Sequence, residues 1–258
     1  ATGMRIARFS DGTNPVYGAL EEGSTRIVGL KGDPLFSPVE PSGQIYELDE
    51  VRLLSPVIPR SKVVGIGNNY SGVPVPADER TEPPIFLKAN TSVIGPDDPI
   101  AIPQWSSDVV FEGELAIVIK SLAKDIAVAD APQVVLGYTI ANDVTARDQM
   151  TGGPWTRGKS FDTACPLGPW ITVDPDLDVD NLSLRSFLNG QSAQDASTST
   201  MIWNAHELVS FVSHQMTLLP GDVIVTGAPA GCGRIDAGDR VEIEIEGIGR
   251  LSNPVVRA

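Results

Sequence analysis

The sequence is poor in the side chains that dominate many catalytic and redox sites. It holds only two cysteines, Cys165 and Cys232, and two histidines, His206 and His214. Two cysteines cannot build a disulfide framework and supply too few thiolates for a structural zinc site. The histidines fall eight residues apart, whereas a helical metal pair needs a spacing of about four. A hydrolase that works through a histidine base therefore has few candidates. Basic residues are also scarce: 19 Lys+Arg face 33 Asp+Glu, a formal net charge of −14. Such a chain repels phosphate backbones, so nucleic acid is not an expected partner. It also disfavours anionic substrates unless a local cation reverses the field. No apolar run approaches the ~18–20 residues of a membrane-spanning helix, so no membrane association is expected. No secretory leader opens the sequence, and the cytoplasm is the expected compartment. Ala1-Thr2-Gly3 ahead of Met4 reads as an expression remnant and is set aside.

What is present describes a globular chain. Apolar residues make up 41% and charged residues 20% of 258, enough for a substantial core and inconsistent with disorder. Gly (25) and Pro (21) are spread throughout and cut the chain into short segments, which favours strands and turns over long helices. The alternation and β-branched content predict strands at Arg5–Phe9, Val16–Leu20, Val109–Ile119, Leu136–Ala141, Trp170–Val173, Val223–Thr226 and Val241–Ile245. A small N-terminal β domain spans residues 4–55, and a stiff linker at Leu54-Ser55-Pro56-Val57-Ile58-Pro59 leads to a larger unit over 60–258. One amphipathic helix is predicted, from about Met201 to Gln215, stopped by Leu219-Pro220-Gly221. The expected class is a mixed β-rich (α+β) fold.

Several motifs compete for a chemical role. Gly153-Pro154-Trp155-Thr156-Arg157-Gly158-Lys159-Ser160 matches the phosphate-loop pattern by letter. That loop needs a buried strand before it and a helix after it. Here Thr145–Thr151 is polar and Phe161–Trp170 contains Pro166, Gly168 and Pro169, so the match is read as chance. Asp174, Asp176, Asp178 and Asp180 alternate like a calcium loop, but Val179 and Arg185 occupy its glycine and glutamate positions, and a solvated turn is expected. Ser121-Leu122-Ala123-Lys124 lacks the companion motif of a serine–lysine hydrolase, and Gly65-Ile66-Gly67 lacks the third glycine of a dinucleotide loop. Glu242, Glu244 and Glu246 alternate with Val241, Ile243 and Ile245, a strand with one wet face.

Glu112 and Glu114 read differently. They share one strand face that Ala116 and Val118 continue as apolar. Two buried like charges require a counter-charge, and hard carboxylate oxygens select Mg²⁺, Mn²⁺ or Ca²⁺. Asp143, ending the apolar run Leu136–Ala141 after Asn142, is the best-placed third acid.

Four ordered blocks then carry a resemblance. Phe111-Glu112-Gly113-Glu114-Leu115, Ala141-Asn142-Asp143-Val144-Thr145-Ala146-Arg147-Asp148, Gly158-Lys159-Ser160-Phe161-Asp162 and Pro220-Gly221-Asp222-Val223-Ile224-Val225-Thr226-Gly227 resemble the motifs of the fumarylacetoacetate hydrolase family. Phe86-Leu87-Lys88 and Ser92-Val93-Ile94-Gly95 are similar too. The resemblance, running from about Lys62 to the C-terminus, implies a β-sandwich roll of that family's C-terminal type and a homodimer. It also implies a divalent cation, Mg²⁺ or Mn²⁺, on Glu112, Glu114 and Asp143, and a small-molecule 2-oxo acid as substrate. Lys159 would be the catalytic cation, with substrate contacts from Tyr70, Arg147, Gln149, Thr226 and Gly227. The implied activity is C–C hydrolysis of acylpyruvates or decarboxylation through enolate charge, with isomerisation of hydroxy-diene diacids as the alternative. A homologue that binds metal and ligand without turnover is the further alternative, and a nucleotide-binding loop the outsider.

The acid–base half departs from the family pattern. After its tyrosine the family places a histidine and an orienting glutamate; Ser71-Gly72-Val73-Pro74-Val75-Pro76 has neither. Met150 falls where a glutamine is usual, with Gln149 beside it, and Ala228 falls where a threonine is usual. A histidine-bearing lid would have to enter at Tyr70-Ser71-Gly72-Val73. A chain that runs directly through this junction favours decarboxylation, or binding without hydrolysis, because hydrolysis depends most on an activated water.

Overall fold

The computed structural model describes residues 3–258; Ala1 and Thr2, in the leading triplet set aside above, lie outside them. Gly/Pro punctuation leaves many short strands, arranged in three sheets. The largest has twelve strands. Its path runs Pro41–Glu47, Arg26–Leu30, Pro15–Glu21, Met4–Ser10, Cys165–Val173, Val135–Asn142, Gly113–Ile119, Val223–Val225, Val63–Ile66 and Ile85–Lys88. Five further strands, Gln191–Ser197, Ser183–Leu188, Arg240–Ile245, Gly249–Arg257 and Ile100–Ile102, form a second sheet. A three-stranded sheet joins Thr145–Ala146, Val109–Phe111 and Gly233–Arg234.

The strand Gly113–Ile119 sits at the centre, buried along its whole length. Leu115, Ile117 and Ile119 join the main core with Leu184, Ile243 and Leu251 of the second sheet and with Leu208, Val209 and Val212 of the helix. On its opposite face Ala116 and Val118 pack with Ala141, Leu167, Val223 and Val225. The N-terminal strands are continuous with this sheet, because Met4, Arg5 and Ile6 pair with Val173, Thr172 and Ile171.

Some sequence expectations shift. The helix spans Ala205–Gln215 and starts later than its apolar spacing predicts, since Asn204 and Glu207 form a reciprocal capping box. Residues Met201–Asn204 precede it in an extended bridge and bends. The predicted strand Val109–Ile119 is two strands, interrupted at Glu112. The strand expected at Trp170–Val173 begins at Cys165 and passes through Pro166, Gly168 and Pro169. Asp174 and Asp178 close turns by accepting from the backbone N–H groups of Asp176 and Asp180 at 2.9 and 3.2 Å. Arg250 bridges Glu242 and Glu244 on the exposed strand face.

Gly113 has a packing reason. A Cβ there would lie 2.7 Å from Gln194 Oε1 and 3.1 Å from Ile243 Cγ2. The Gln194 amide spans this glycine, accepting from its N–H (3.0 Å) and donating to its carbonyl (3.2 Å). Gly113→Ala should therefore cost ~1–3 kcal/mol by overpacking, read as a lowered urea midpoint. A midpoint equal to wild type would show that Gln194 moves aside freely.

Candidate metal centre and its cavity

The interruption at Glu112 aims two carboxylates toward one place. Asn142 Oδ1 accepts from the Glu112 N–H at 2.9 Å, and the Asp143 N–H donates to the Glu112 carbonyl at 2.8 Å. These bonds tie the end of Val135–Asn142 to the break between strands and bring Asp143 beside the glutamates. One carboxylate oxygen from each of Glu112, Glu114 and Asp143 lies within 4.8 Å of the others. Glu114 and Asp143 are each 1% exposed, so bulk water does not screen them. Glu114 is further held by the Gly227 N–H at 2.8 Å. Gly227 has φ +98°, and a Cβ on it would approach Asn69 Cβ to 2.8 Å, which explains the glycine.

Two lysines answer the three acids. Lys159 Nζ donates to Asp143 Oδ2 at 2.8 Å and lies 3.7 Å from Glu112 Oε2. The Thr145 hydroxyl accepts from Lys159 at 2.8 Å and donates to Glu112 at 3.0 Å. Lys88 Nζ donates to the other oxygen of Asp143 at 2.6 Å. The consequences are opposite for the acids. Burial, then the Asp143 and Glu112 charges, push the Glu114 carboxyl well above the ordinary glutamate range. Burial and Asp143 also raise Glu112, against the pull of Lys159. Burial works to raise Asp143 as well, but Lys88 and Lys159 win and hold it below the ordinary value. Burial opposes the charge on Lys159, yet Asp143 and Glu112 raise its pKa, so it stays an ammonium.

The centre opens into a cavity of about 600 Å³. Tyr70, Phe86, Glu112, Asp143, Thr145, Arg147, Met150, Trp155, Lys159 and the segment 228–232 line it. Asn69 fixes the approach of Tyr70: its amide donates to the carbonyls of Trp203 and Thr226 at 3.0 and 2.8 Å. The buried Tyr70 hydroxyl has no hydrogen-bond partner among the described residues, and burial and the Glu114 charge push its pKa up. A donor set of three carboxylates without thiolate or imidazole, beside an orphaned phenol, fits a hard divalent cation such as Mg²⁺ or Mn²⁺ and a ligand carrying oxygen acceptors.

Residues expected at the site separate into two groups. Glu112, Glu114, Asp143, Lys159 and Tyr70 come together. Arg147 lines the cavity but is held by Asp108 at 3.0 and 3.2 Å. Gln149 is directed to the Trp105 carbonyl at 3.5 Å and is not on the cavity wall. Thr226 is buried, its hydroxyl donating to the Leu115 carbonyl at 2.8 Å, and Gly227 serves Glu114. Gly153–Ser160 follows the turn Arg147–Gln149, not a strand, and enters the single helical turn Thr156–Lys159, so a phosphate loop is not built. From Tyr70 the chain continues through Ser71, whose hydroxyl donates to the Val73 carbonyl, into Ala77–Glu79. Neither His206 nor His214 lines the cavity; both ride on the helix Ala205–Gln215. Sequence reasoning assigned no role to Lys88, Thr145 or Gln194. Thr145 and Lys88 lie in quoted blocks, but their partners are distant in sequence.

The profile described as fumarylacetoacetate (FAA) hydrolase C-terminal matches residues 62–256. The chain belongs to the fumarylacetoacetate hydrolase family. An Rv2993c-like N-terminal profile matches residues 4–56. Protein Rv2993c of Mycobacterium tuberculosis is 51% identical, with 98% of each chain covered. An oxaloacetate tautomerase (fahd2, mitochondrial) of Xenopus laevis is 41% identical over 99% of this chain and 91% of its own. Among solved structures, a 2-hydroxyhepta-2,4-diene-1,7-dioate isomerase from Mycobacterium marinum superposes with a TM-score of 0.90 at 45% identity, covering 98% of both chains. A maleylpyruvate hydrolase from Sphingobium, in complex with manganese(II) and pyruvate, superposes with a TM-score of 0.81 at 27% identity over 98% of this chain and 99% of its own. The β-rich fold is thus that of the family, whose members compared here are named as isomerase, tautomerase and hydrolase. No helix among the described residues is long and apolar enough to cross a membrane.

Proposed function

We propose that this chain is a divalent-metal-dependent enzyme of 2-oxo acids that works through negative charge developed on the keto oxygen. Keto–enol isomerisation or decarboxylation is the favoured reaction, and C–C hydrolysis of acylpyruvates the second. The observation that carries this reading is Lys159: its ammonium stands on the wall of the cavity, 2.8 Å from Asp143 and within 3.7 Å of Glu112.

Glu112, Glu114 and Asp143 would hold Mg²⁺ or Mn²⁺, which when bound supplies a Lewis acid for the carboxylate and keto oxygens of the substrate. Lys159 remains protonated, so it acts as a fixed positive charge and hydrogen-bond donor rather than as a base. The Thr145 hydroxyl keeps it turned toward the carboxylates. Tyr70 remains a phenol and offers its unpartnered O–H as a second donor. Together these donors favour the enolate over the keto form in a cavity whose apolar wall is made by Phe86, Met150 and Trp155. Decarboxylation needs chiefly this electron sink, with CO₂ leaving and solvent protonating the enolate carbon. Keto–enol isomerisation needs in addition a proton exchanged between the substrate carbon and solvent water. Hydrolysis needs a water activated as the nucleophile, and no histidine among the described residues stands on the cavity wall. The kinship to an oxaloacetate tautomerase and a diene-dioate isomerase supports the same order.

The test follows the ultraviolet decay of enol-oxaloacetate, the decarboxylation of oxaloacetate and the cleavage of an acylpyruvate, each with Mg²⁺, Mn²⁺ or chelator. Metal-stimulated turnover in the first or second assay, exceeding the third, is the expected result. Metal binding without turnover of any of them would overturn the enzyme reading in favour of a binding homologue. The homodimer expected from the resemblance is a separate proposal, checked by light scattering of the purified chain.

A further inference from the structure

The strand Ile85–Lys88 ends on a lysine that the cavity does not contain. The Lys88 side chain is 0% exposed, and its ammonium donates to Asp143 Oδ1 at 2.6 Å and to the Val144 carbonyl at 3.2 Å. Lysine is almost never fully buried unless paired. Both oxygens of Asp143 are therefore held by ammonium groups, Oδ1 by Lys88 and Oδ2 by Lys159. The two lysines are not equivalent, because Lys159 lines the cavity and Lys88 does not. Residues 86 and 88 project to the same side of this strand. The Phe86 ring centroid lies 4.5 Å from Lys159 Nζ, so one strand face braces both cations.

We propose that Lys88 is a positioning residue: it clamps Asp143 Oδ1 from behind, in the orientation a metal requires, while Lys159 holds Oδ2 from the cavity wall. This rests on the reading of Glu112, Glu114 and Asp143 as metal ligands. Without Lys88, Asp143 would keep only Lys159 as a partner and would rotate toward it. The ligand would be lost from the triad.

The opposing effect makes the idea testable. As a point charge alone, Lys88 repels an incoming cation, so its removal would tighten metal binding. As a clamp, its removal weakens binding, and changes in the partners that orient metal ligands typically cost about 10–100-fold in affinity. The experiment is calorimetric titration of the full chain with Mn²⁺, for wild type, Lys88→Met and Lys62→Met. Lys62 is the control, since it makes a comparable ion pair with buried Asp222 at 2.8 Å outside the site.

The expected result is affinity about 10–100-fold weaker in Lys88→Met and within about twofold of wild type in Lys62→Met. The Mn²⁺ electron paramagnetic resonance spectrum should broaden only in Lys88→Met, a change that a general loss of stability would not produce. Should Lys88→Met fail to fold, Lys88→Gln, which keeps one donor, should show a smaller loss in the same direction. Unchanged or tighter binding in the Lys88 variants would overturn the clamp while leaving the metal site standing. Absence of Mn²⁺ binding by wild type and control alike would overturn both.

Discussion

Lys159→Ala should lower kcat by about 10²–10³-fold while leaving Mn²⁺ affinity within a few-fold of wild type. The magnitude is that of removing one preorganised donor from developing negative charge. The asymmetry between turnover and affinity follows from the double grip on Asp143. Lys88 still holds Oδ1 at 2.6 Å after the 2.8 Å contact of Lys159 to Oδ2 is gone. Loss of the Lys159 charge also removes a repulsion toward the cation, so affinity has no electrostatic reason to fall. Steady-state kinetics with oxaloacetate and calorimetry with Mn²⁺ measure the two quantities. Turnover that survives the substitution would reduce Lys159 to an ion-pair partner of Asp143.

Metal binding should release protons, and its affinity should rise with pH. Burial first, then Asp143 and Glu112, place the Glu114 carboxyl well above the ordinary glutamate value. Below that raised pKa Glu114 carries a proton that a cation must displace. Affinity therefore climbs as pH rises through the Glu114 pKa and levels off above it. Asp143, held low by its lysines, is already ionised and contributes nothing to this slope near neutrality. Glu114→Gln should weaken Mn²⁺ binding by more than about 100-fold, beyond the usual effect of altering an outer partner, and abolish its share of the proton release. Calorimetry in buffers of different ionisation enthalpy reads both effects. A proton count that does not grow as the pH is lowered would contradict the raised Glu114 pKa.

The acidic half of this site was legible in the sequence because its signal is local. Glu112 and Glu114 stand two apart in an apolar run, a spacing that solvated strand glutamates share, and the family-like blocks around them favour the buried reading. Asp143 follows because an apolar run ends on it. The cationic half is less legible. Lys88 stands out in the sequence only as part of the family-like run Phe86-Leu87-Lys88, and its tie to Asp143 spans 55 positions that no periodicity encodes. Gln194, which spans Gly113 from 81 positions away, sits in a polar segment that suggests a loop. Local pattern also misplaced elements where tertiary pairing overrode it. Pro166, Gly168 and Pro169 read as breakers, yet the strand Cys165–Val173 carries them because Ile140 and Ala141 pair with Gly168 and Leu167 while Val93 and Ile94 pair with Cys165 and Pro166. Thr226 illustrates the reverse case, since a hydroxyl in a family-like motif turns inward and closes onto the Leu115 carbonyl.

The pairing of Met4–Ser10 with Cys165–Val173 gives the N-terminal strands a protective duty. A chain beginning after the Pro56–Pro59 linker would leave the Cys165–Val173 strand without the neighbour that satisfies its outward N–H and C=O groups. Ile171, which sits in a buried apolar cluster with Ile6, would face solvent beside that bare ladder. An unpaired apolar strand edge is a template for self-association. Fragments that retain every metal-ligand candidate but lack all the strands before that linker should therefore precipitate rather than work, and the N-terminal strands serve as the larger unit's edge guard.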